Sequence, residues 1–400
     1  MYSLNKSIYP LGLDISDLSL KLVQLNKIRD KIKIQAIGKI NLPPGIIESG
    51  EIKNKPELIN AIKKLTSSPK YGKVSSDEVT VCLPESKTFI KLIEVAKSPN
   101  SLSEVIGTEI EKHVPMSINE IYYDWQVIEN KAEKYQVLIG AAPKNIVNQY
   151  TELLDEAKLF PVALEIEPMA ICRGLLVEES PSFKKTKKFS NFKSTPEKIK
   201  AKNYALIDIG ACHTSMIFYA HKTILFTVSI PITGEQITAS IAQTLEISKE
   251  QAEKAKIVCG LDENKAQGII KNILEEVIKK LIKKINEAIQ FYQSHYAESG
   301  PLEEILICGG GANIKNLTDI LKEATSTPVR LADALINLAE AKEKFTEILA
   351  EKHLFEINLI QKNSRQKNKT LAISQNSSLT FTTAIGLALR GIFIDELLIS

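Results

Sequence analysis

Two stretches of this chain repeat one pattern 194 positions apart: Leu11-Gly-Leu-Asp14-Ile-Ser16 running into Leu20-Lys-Leu-Val23, and Leu206-Ile-Asp208-Ile-Gly210 running into Ser215-Met-Ile-Phe218. In each, an acidic residue sits inside an apolar run, a short polar turn follows and a second apolar run returns, which reads as a β-hairpin. Either aspartate alone can be satisfied by hydrogen bonds to its own turn. A matched pair of carboxylates in apolar surroundings calls for a shared partner. A hydrated Mg²⁺ between Asp14 and Asp208, with turn N–H groups aimed at phosphate oxygens, supplies one. A third segment agrees with this clamp: the strand Glu304–Cys308 delivers Gly309-Gly310-Gly311-Ala-Asn313, and a helical pattern follows through Ile314, Leu317 and Leu321. Residues without Cβ let the backbone approach a ligand, so strand, glycine turn and helix form a phosphate or nucleoside platform. A dinucleotide fingerprint is excluded, because Ile314 stands where its third glycine is required.

Composition narrows the partners. Against 48 acidic residues stand 51 basic ones, a net charge of +3 that leaves no footprint for nucleic acid. The five cysteines are widely spaced with no C-x-x-C pair, which implies neither a disulfide framework nor a thiolate metal site and suits a reducing cytosol. No signal-peptide pattern opens the chain, and no apolar run approaches the ~20 residues that span a bilayer. His113, His221, His295 and His353 show no ligand spacing, so no zinc site is expected.

The length allows about two to three domains. A third strand is expected over Ile32–Ile40, and Pro56 opens a helix carrying Leu58, Ile59, Ile62 and Leu65. Residues 79–158 read as one α+β insertion, its first helix capped by Ser101 with Glu104 and stopped by Pro115. From 179 to 203 lysines crowd among serine, threonine and proline, the mark of an exposed linker. Capping boxes at Thr233/Gln236 and Ser248/Gln251 start two short helices. Ile270, Ile273, Leu274, Val277, Leu281, Ile285, Ala288 and Phe291 then form the core stripe of a longer helix. A polar loop is expected over 361–379, and the closing helix places Ala384, Gly386 and Ala388 for close packing against a neighbour.

Taken together, the two hairpins, Val81-Cys-Leu-Pro84, Asp124-Trp-Gln126, Ala141-Ala-Pro143, Leu164-Glu-Ile-Glu-Pro168, the glycine turn and Ala384-Ile-Gly-Leu-Ala-Leu-Arg390 resemble the type IV pilus assembly PilM family of bacterial actin-like proteins, close to the FtsA family. The resemblance implies an α/β actin-like two-lobed fold, with two RNase-H-like subdomains flanking a nucleotide cleft and an inserted α+β subdomain. The first lobe would comprise 1–78 with 159–178 and 380–400 returning to it. The insertion would be 79–158 and the second lobe 204–379, with a helical subdomain at about 235–300.

It further implies ATP with Mg²⁺ as ligands, Asp14 and Asp208 as the metal carboxylates, and weak or no ATP turnover. Ser16, Asp17, Ser19, Gly210, Ala211 and Thr214 would form the phosphate turns. Gly309, Gly310, Gly311 and Asn313 would flank the adenosine. Glu253 and Lys256 would contact ribose and base, although as residues alone they read as a solvated i,i+3 ion pair. Lys21 could reach phosphate as a point charge, and His213 either touches a phosphate or faces solvent.

The implied role is a cytoplasmic scaffold at the inner face of the cytoplasmic membrane. It would bind the N-terminal cytoplasmic segment of a PilN-like protein, alongside other pilus platform proteins, and meet the membrane only through a partner. Two rivals share the fold. An FtsA-like division protein would end in a basic amphipathic helix, whereas the ending here is acidic; a sugar-kinase-like phosphotransferase would need a carboxylate base, and none stands in a recognisable context. The chain also departs from the family pattern, with Ser16 in place of a usual glycine, Asp17 adding charge beside the phosphates, and a lone Gly234 before Glu235.

Overall fold

A computed structural model describes residues 8–29, 31–99, 101–177, 202–338 and 375–399. Nearly all of the lysine-rich linker and most of the polar loop lie outside the described residues. The first hairpin is β1 (Leu11–Ser16) and β2 (Ser19–Ile28), continued by β3 (Lys31–Asn41). A small hairpin, β4 (Ile47–Glu48) and β5 (Glu51–Ile52), precedes α1 (Lys55–Ser67), where Asn54 caps the Glu57 N–H and Pro56 sits in the first turn. Then come β6 (Tyr71–Gly72), β7 (Glu78–Leu83), β8 (Phe89–Ala96), α2 (Leu102–His113), β9 (Ile121–Asn130), β10 (Lys134–Pro143), α3 (Lys144–Glu156), β11 (Phe160–Ile166) and α4 (Glu167–Leu175). The second half holds β12 (Tyr204–Ile209), β13 (Thr214–Ala220), β14 (Thr223–Ile230), α5 (Gly234–Leu245), α6 (Lys249–Val258), α7 (Ile269–His295), β15 (Glu304–Cys308), α8 (Leu317–Thr325), β16 (Val329–Leu331) and α9 (Thr382–Ile399).

The duplication glimpsed in the hairpins extends over five strands. One sheet runs β3-β2-β1-β7-β11 and the other β14-β13-β12-β15-β16, each with three antiparallel strands followed by two parallel ones. Between them lie α4 and α9: α9 packs on β1, β2, β7 and α4, while α4 touches β7, β11 and β14. The helices cross at contact distance because glycines line the crossing. A Cβ on Gly386 would fall 1.8 Å from the Ala170 carbonyl oxygen, one on Gly12 2.2 Å from that of Ala384, and one on Gly174 2.9 Å from that of Thr382. The close packing expected of this helix is therefore backbone against backbone.

Residues 79–158, expected as one insertion, contribute to two sheets. β7 lies inside the first sheet, between β1 and β11, and α3 joins its core through Ile146, Tyr150, Leu153 and Leu154. The rest, β8, β10 and β9 with α2, has a small core of its own around Ile93, Ile106, Ile110 and Ile139. β8 also pairs with β14 at Phe226 and Lys91, so the second sheet continues to β9 as eight strands. An apolar run such as Val79–Leu83 announces a buried strand but not the sheet it enters.

Both capping boxes of the second half are present. In α7 the stripe differs at its end: Tyr292 is buried, stacked on Phe218 with its hydroxyl donating to the Gly300 carbonyl at 2.8 Å, while Phe291 is exposed. Over 27 residues the buried face drifts relative to a fixed repeat.

Candidate functional site

In the first hairpin the β1–β2 register sets Lys21 opposite Asp14. Lys21 Nζ donates to Asp14 Oδ2 at 2.7 Å and Ser16 Oγ donates to Oδ1 at 2.8 Å. Burial would lower the Lys21 ammonium, but Asp14, Glu167 and Asp208 together hold it above its ordinary value. Asp17 accepts the N–H groups of Ser49 at 2.9 Å and Gly50 at 3.0 Å, so its charge is pinned to the β4–β5 turn.

In the second hairpin, Asp208 stands level with Cys308 on the parallel strand β15 and accepts from its thiol at 3.6 Å. Burial, then Asp208, pushes that thiol well up, which keeps the donor proton in place. Burial and the neighbouring Glu167 in turn push the Asp208 carboxyl up to about 6. The turn is closed by Gly210 N–H donating to the His213 carbonyl at 2.9 Å, and the first amides of α5 clamp it, Gly234 N–H to Gly210 O at 3.0 Å and Glu235 N–H to Ala211 O at 2.9 Å.

The glycine turn closes the third side. Gly309 has φ +78°, and a Cβ there would stand 2.2 Å from Asp208 Oδ1. Gly310 has nothing within 4 Å of its missing Cβ and opens into the cleft. One expectation is corrected here. A 3₁₀ turn over Gly310–Asn313 separates the glycines from α8, so they do not sit on an α-helix N-terminus.

Residues that the sequence reading left without a role complete the cleft. Glu85 follows β7 and Glu167 opens α4 after β11, so the carboxyl ends of β1, β7 and β11 each present an acid, where ligands of parallel sheets are bound. Glu167 accepts from Thr383 Oγ1 at 3.2 Å and stands 3.1 Å from His213 Nε2. Burial works to raise the Glu167 carboxyl, but His213 and Lys21 hold it below its ordinary value. Glu167 pushes the imidazole up to about 10, and burial with Glu167 pushes Glu85 up to about 8. Lys39, also lining the cleft, is lowered to about 8 by burial and by Lys21. An acid at a strand-to-helix junction, as in Leu164-Glu-Ile-Glu-Pro168, was the available signal for Glu167.

The cleft encloses about 240 Å³, lined by five carboxylates and three basic groups. Eleven of the sixteen expected residues line it: Asp14, Ser16, Asp17, Ser19, Lys21, Asp208, Gly210, Ala211, His213, Gly309 and Gly310. Five do not. Thr214 is fully buried and donates to the Ile232 carbonyl, and Asn313 Nδ2 supports the glycine turn by donating to Gly310 O at 3.2 Å. The space for a Cβ on Gly311 is filled by Ile209. Glu253 and Lys256 are paired at 2.5 Å, but Lys256 is buried and donates to Thr238 Oγ1 at 2.8 Å and Gly234 O at 3.2 Å. The pair braces the start of α5 and is no solvated surface pair.

A family model described as type IV pilus assembly protein PilM matches residues 12–359. The chain belongs to this family. Among solved structures, a PilM–PilN type IV pilus biogenesis complex superposes with a TM-score of 0.71 at 21% identity, covering 96% of this chain and 99% of that one. The ethanolamine utilization protein EutJ from Carboxydothermus hydrogenoformans follows at 0.51 and 12%, covering 96% and 90%. The expected actin-like α/β fold is thus the fold of this PilM-family chain. The cell division protein FtsA of Buchnera aphidicola subsp. Acyrthosiphon pisum (strain APS) is 25% identical over 167 residues, 36% of this chain and 40% of that protein's length.

Proposed function

We propose that this PilM-family protein binds Mg·ATP between its lobes and acts as a cytoplasmic scaffold at the inner face of the cytoplasmic membrane. There it recruits the N-terminal cytoplasmic segment of a PilN-like protein to the other components of the pilus platform. One observation carries the nucleotide reading: Asp14 and Asp208, from equivalent hairpins of two sheets with one topology, line one cleft with the open Gly310 turn. The donor chemistry suits Mg²⁺, since Asp14 and Asp208 offer only oxygen ligands. The surplus of acidic groups, with Asp208 raised to about 6, marks a site short of positive charge. Bound Mg²⁺ would neutralise those carboxylates and the nucleotide phosphates together, while Lys21 supplies a fixed cation beside them.

The partner reading draws on the likeness to a PilM–PilN complex over nearly the whole chain. Among the described residues no helix is long and apolar enough to cross a membrane. Nucleotide would set the angle between the lobes, and hence the fraction of molecules ready for the peptide. Calorimetric titration with Mg·ATP tests the first step: the wild type should bind and folded Asp208→Ala should not. Titration of a PilN-like N-terminal peptide with and without nucleotide tests the second. A wild type that fails to bind Mg·ATP sinks the nucleotide reading.

A further inference from the structure

Glu85, Glu167 and His213 meet at one point of the cleft. His213 Nε2 lies 3.1 Å from Glu167 Oε2 and 3.9 Å from Glu85 Oε2, and one ligand atom from each residue falls within 4.8 Å of the other two. Bonds of about 2.0–2.2 Å in a tetrahedron hold ligand atoms roughly 3.3–3.6 Å apart, and the two measured separations bracket that span.

A second observation is independent of this spacing. Glu85 Oε2 and His213 Nε2 are both shut from solvent without a hydrogen-bond partner, and the Glu85 side chain is only 9% exposed. Although close to Glu167, the imidazole nitrogen lies off the line of a hydrogen bond. Orphaned buried polar atoms are few in folded proteins and each is costly. Two such atoms 3.9 Å apart, with a Glu167 carboxylate oxygen 3.1 Å from the imidazole nitrogen, are an arrangement that a cation would satisfy.

The donor set also names the kind of ion. Mg²⁺ takes oxygen ligands, whereas an imidazole with two carboxylates favours Zn²⁺, Mn²⁺ and their neighbours. We propose that Glu85, Glu167 and His213 form a binding site for a borderline divalent cation of the Zn²⁺ or Mn²⁺ type, distinct from the Mg²⁺ position between Asp14 and Asp208. The ligands come from the end of β7, the start of α4 and the turn after β12, so the ion ties one lobe to the other. All three line the cleft.

The test uses the full-length protein, stripped with a chelator and free of nucleotide, so its failure is separable from failure of the Mg·ATP reading. Zn²⁺ is titrated calorimetrically and Mn²⁺ by electron paramagnetic resonance, both in excess Mg²⁺, with metal content measured per chain and melting curves confirming that each variant is folded. One ion per chain is expected, with more than about tenfold weaker binding in Glu85→Gln and in His213→Gln. Cys212→Ser, next to His213, should keep the ion. If Glu85→Gln does not fold, His213→Gln decides. A wild type that retains neither ion overturns the proposal, and so does equal retention by wild type and His213→Gln, which would place the metal elsewhere.

Discussion

Glu167 Oε2 and His213 Nε2 stand 3.1 Å apart across the cleft, one at the start of an interlobe helix and the other in the turn of the second hairpin. This ion pair, with Glu85 beside it, makes the metal-free protein sensitive to pH. His213 is raised to about 10, so its contribution is whole below about 6.5 and is lost as pH climbs toward 10. Glu85 is raised to about 8; the folded state keeps a proton that the unfolded chain releases above about 4.5, and stability again falls with rising pH. Between pH 6.5 and 8 both act in one direction. The melting temperature of metal-free wild type should fall across that window relative to a Glu85→Gln/His213→Gln double variant. Parallel curves for the two proteins would remove the ion cluster as the cause.

Neighbouring glycines of the third turn should behave differently. Gly310→Val places its side chain in open space, so the variant should fold normally and lose Mg·ATP affinity. Gly309→Val forces a Cβ onto Asp208 at a left-handed φ and should destabilise the protein by several kcal/mol. Calorimetry and thermal melts on both variants check the contrast, and normal ATP binding by Gly310→Val would remove the glycine turn from the site.

Glu165 is buried under two guanidinium groups. Arg173 binds it through both terminal nitrogens at 2.8 Å, also donating to Gly386 O at 2.9 Å, and Arg390 adds a further bond. Glu165→Ala leaves a largely buried Arg173 without its counter-ion and should cost about 3–5 kcal/mol in chemical denaturation. A loss below about 1 kcal/mol would assign this network a surface pair's weight.

Lys256→Met keeps the length of a buried side chain but removes the donor to Gly234 O and Thr238 Oγ1. The expected cost is about 1–3 kcal/mol, with faster amide exchange at the start of α5. Because α5 clamps the Gly210–Ala211 turn, Mg·ATP affinity should fall with it.

Local signals survived folding where one short segment held all the information. The hairpins around Asp14 and Asp208, the Thr233 and Ser248 capping boxes and the Pro56 helix start were legible for that reason. β11 was not, since Pro161 breaks its pattern, it shows no alternation, and Phe160 and Val162 remain exposed on a sheet edge. Glu85 and Glu167 escaped as site residues because their common neighbour, His213, lies far along the chain, and no local spacing reports an encounter between strand ends. Lys256 misled in the other direction: i,i+3 spacing to Glu253 describes a surface pair equally well, and only the fold places it beneath Gly234.

The glycine-lined crossing of α4 and α9 has a mechanical meaning. At Gly386 and Ala170 the backbones touch with no Cβ between them, while Arg173 donating to Gly386 O and Thr383 donating to Glu167 fasten the two helices to each other. The crossing is a fastened joint between the two sheets, since α9 lies on β1, β2 and β7 while α4 reaches both β11 and β14. Because β14 hands its hydrogen bonding on to β8, the strands out to β9 belong to the second sheet although the chain enters them from β7 in the first, so the two sheets are stitched together at a second place.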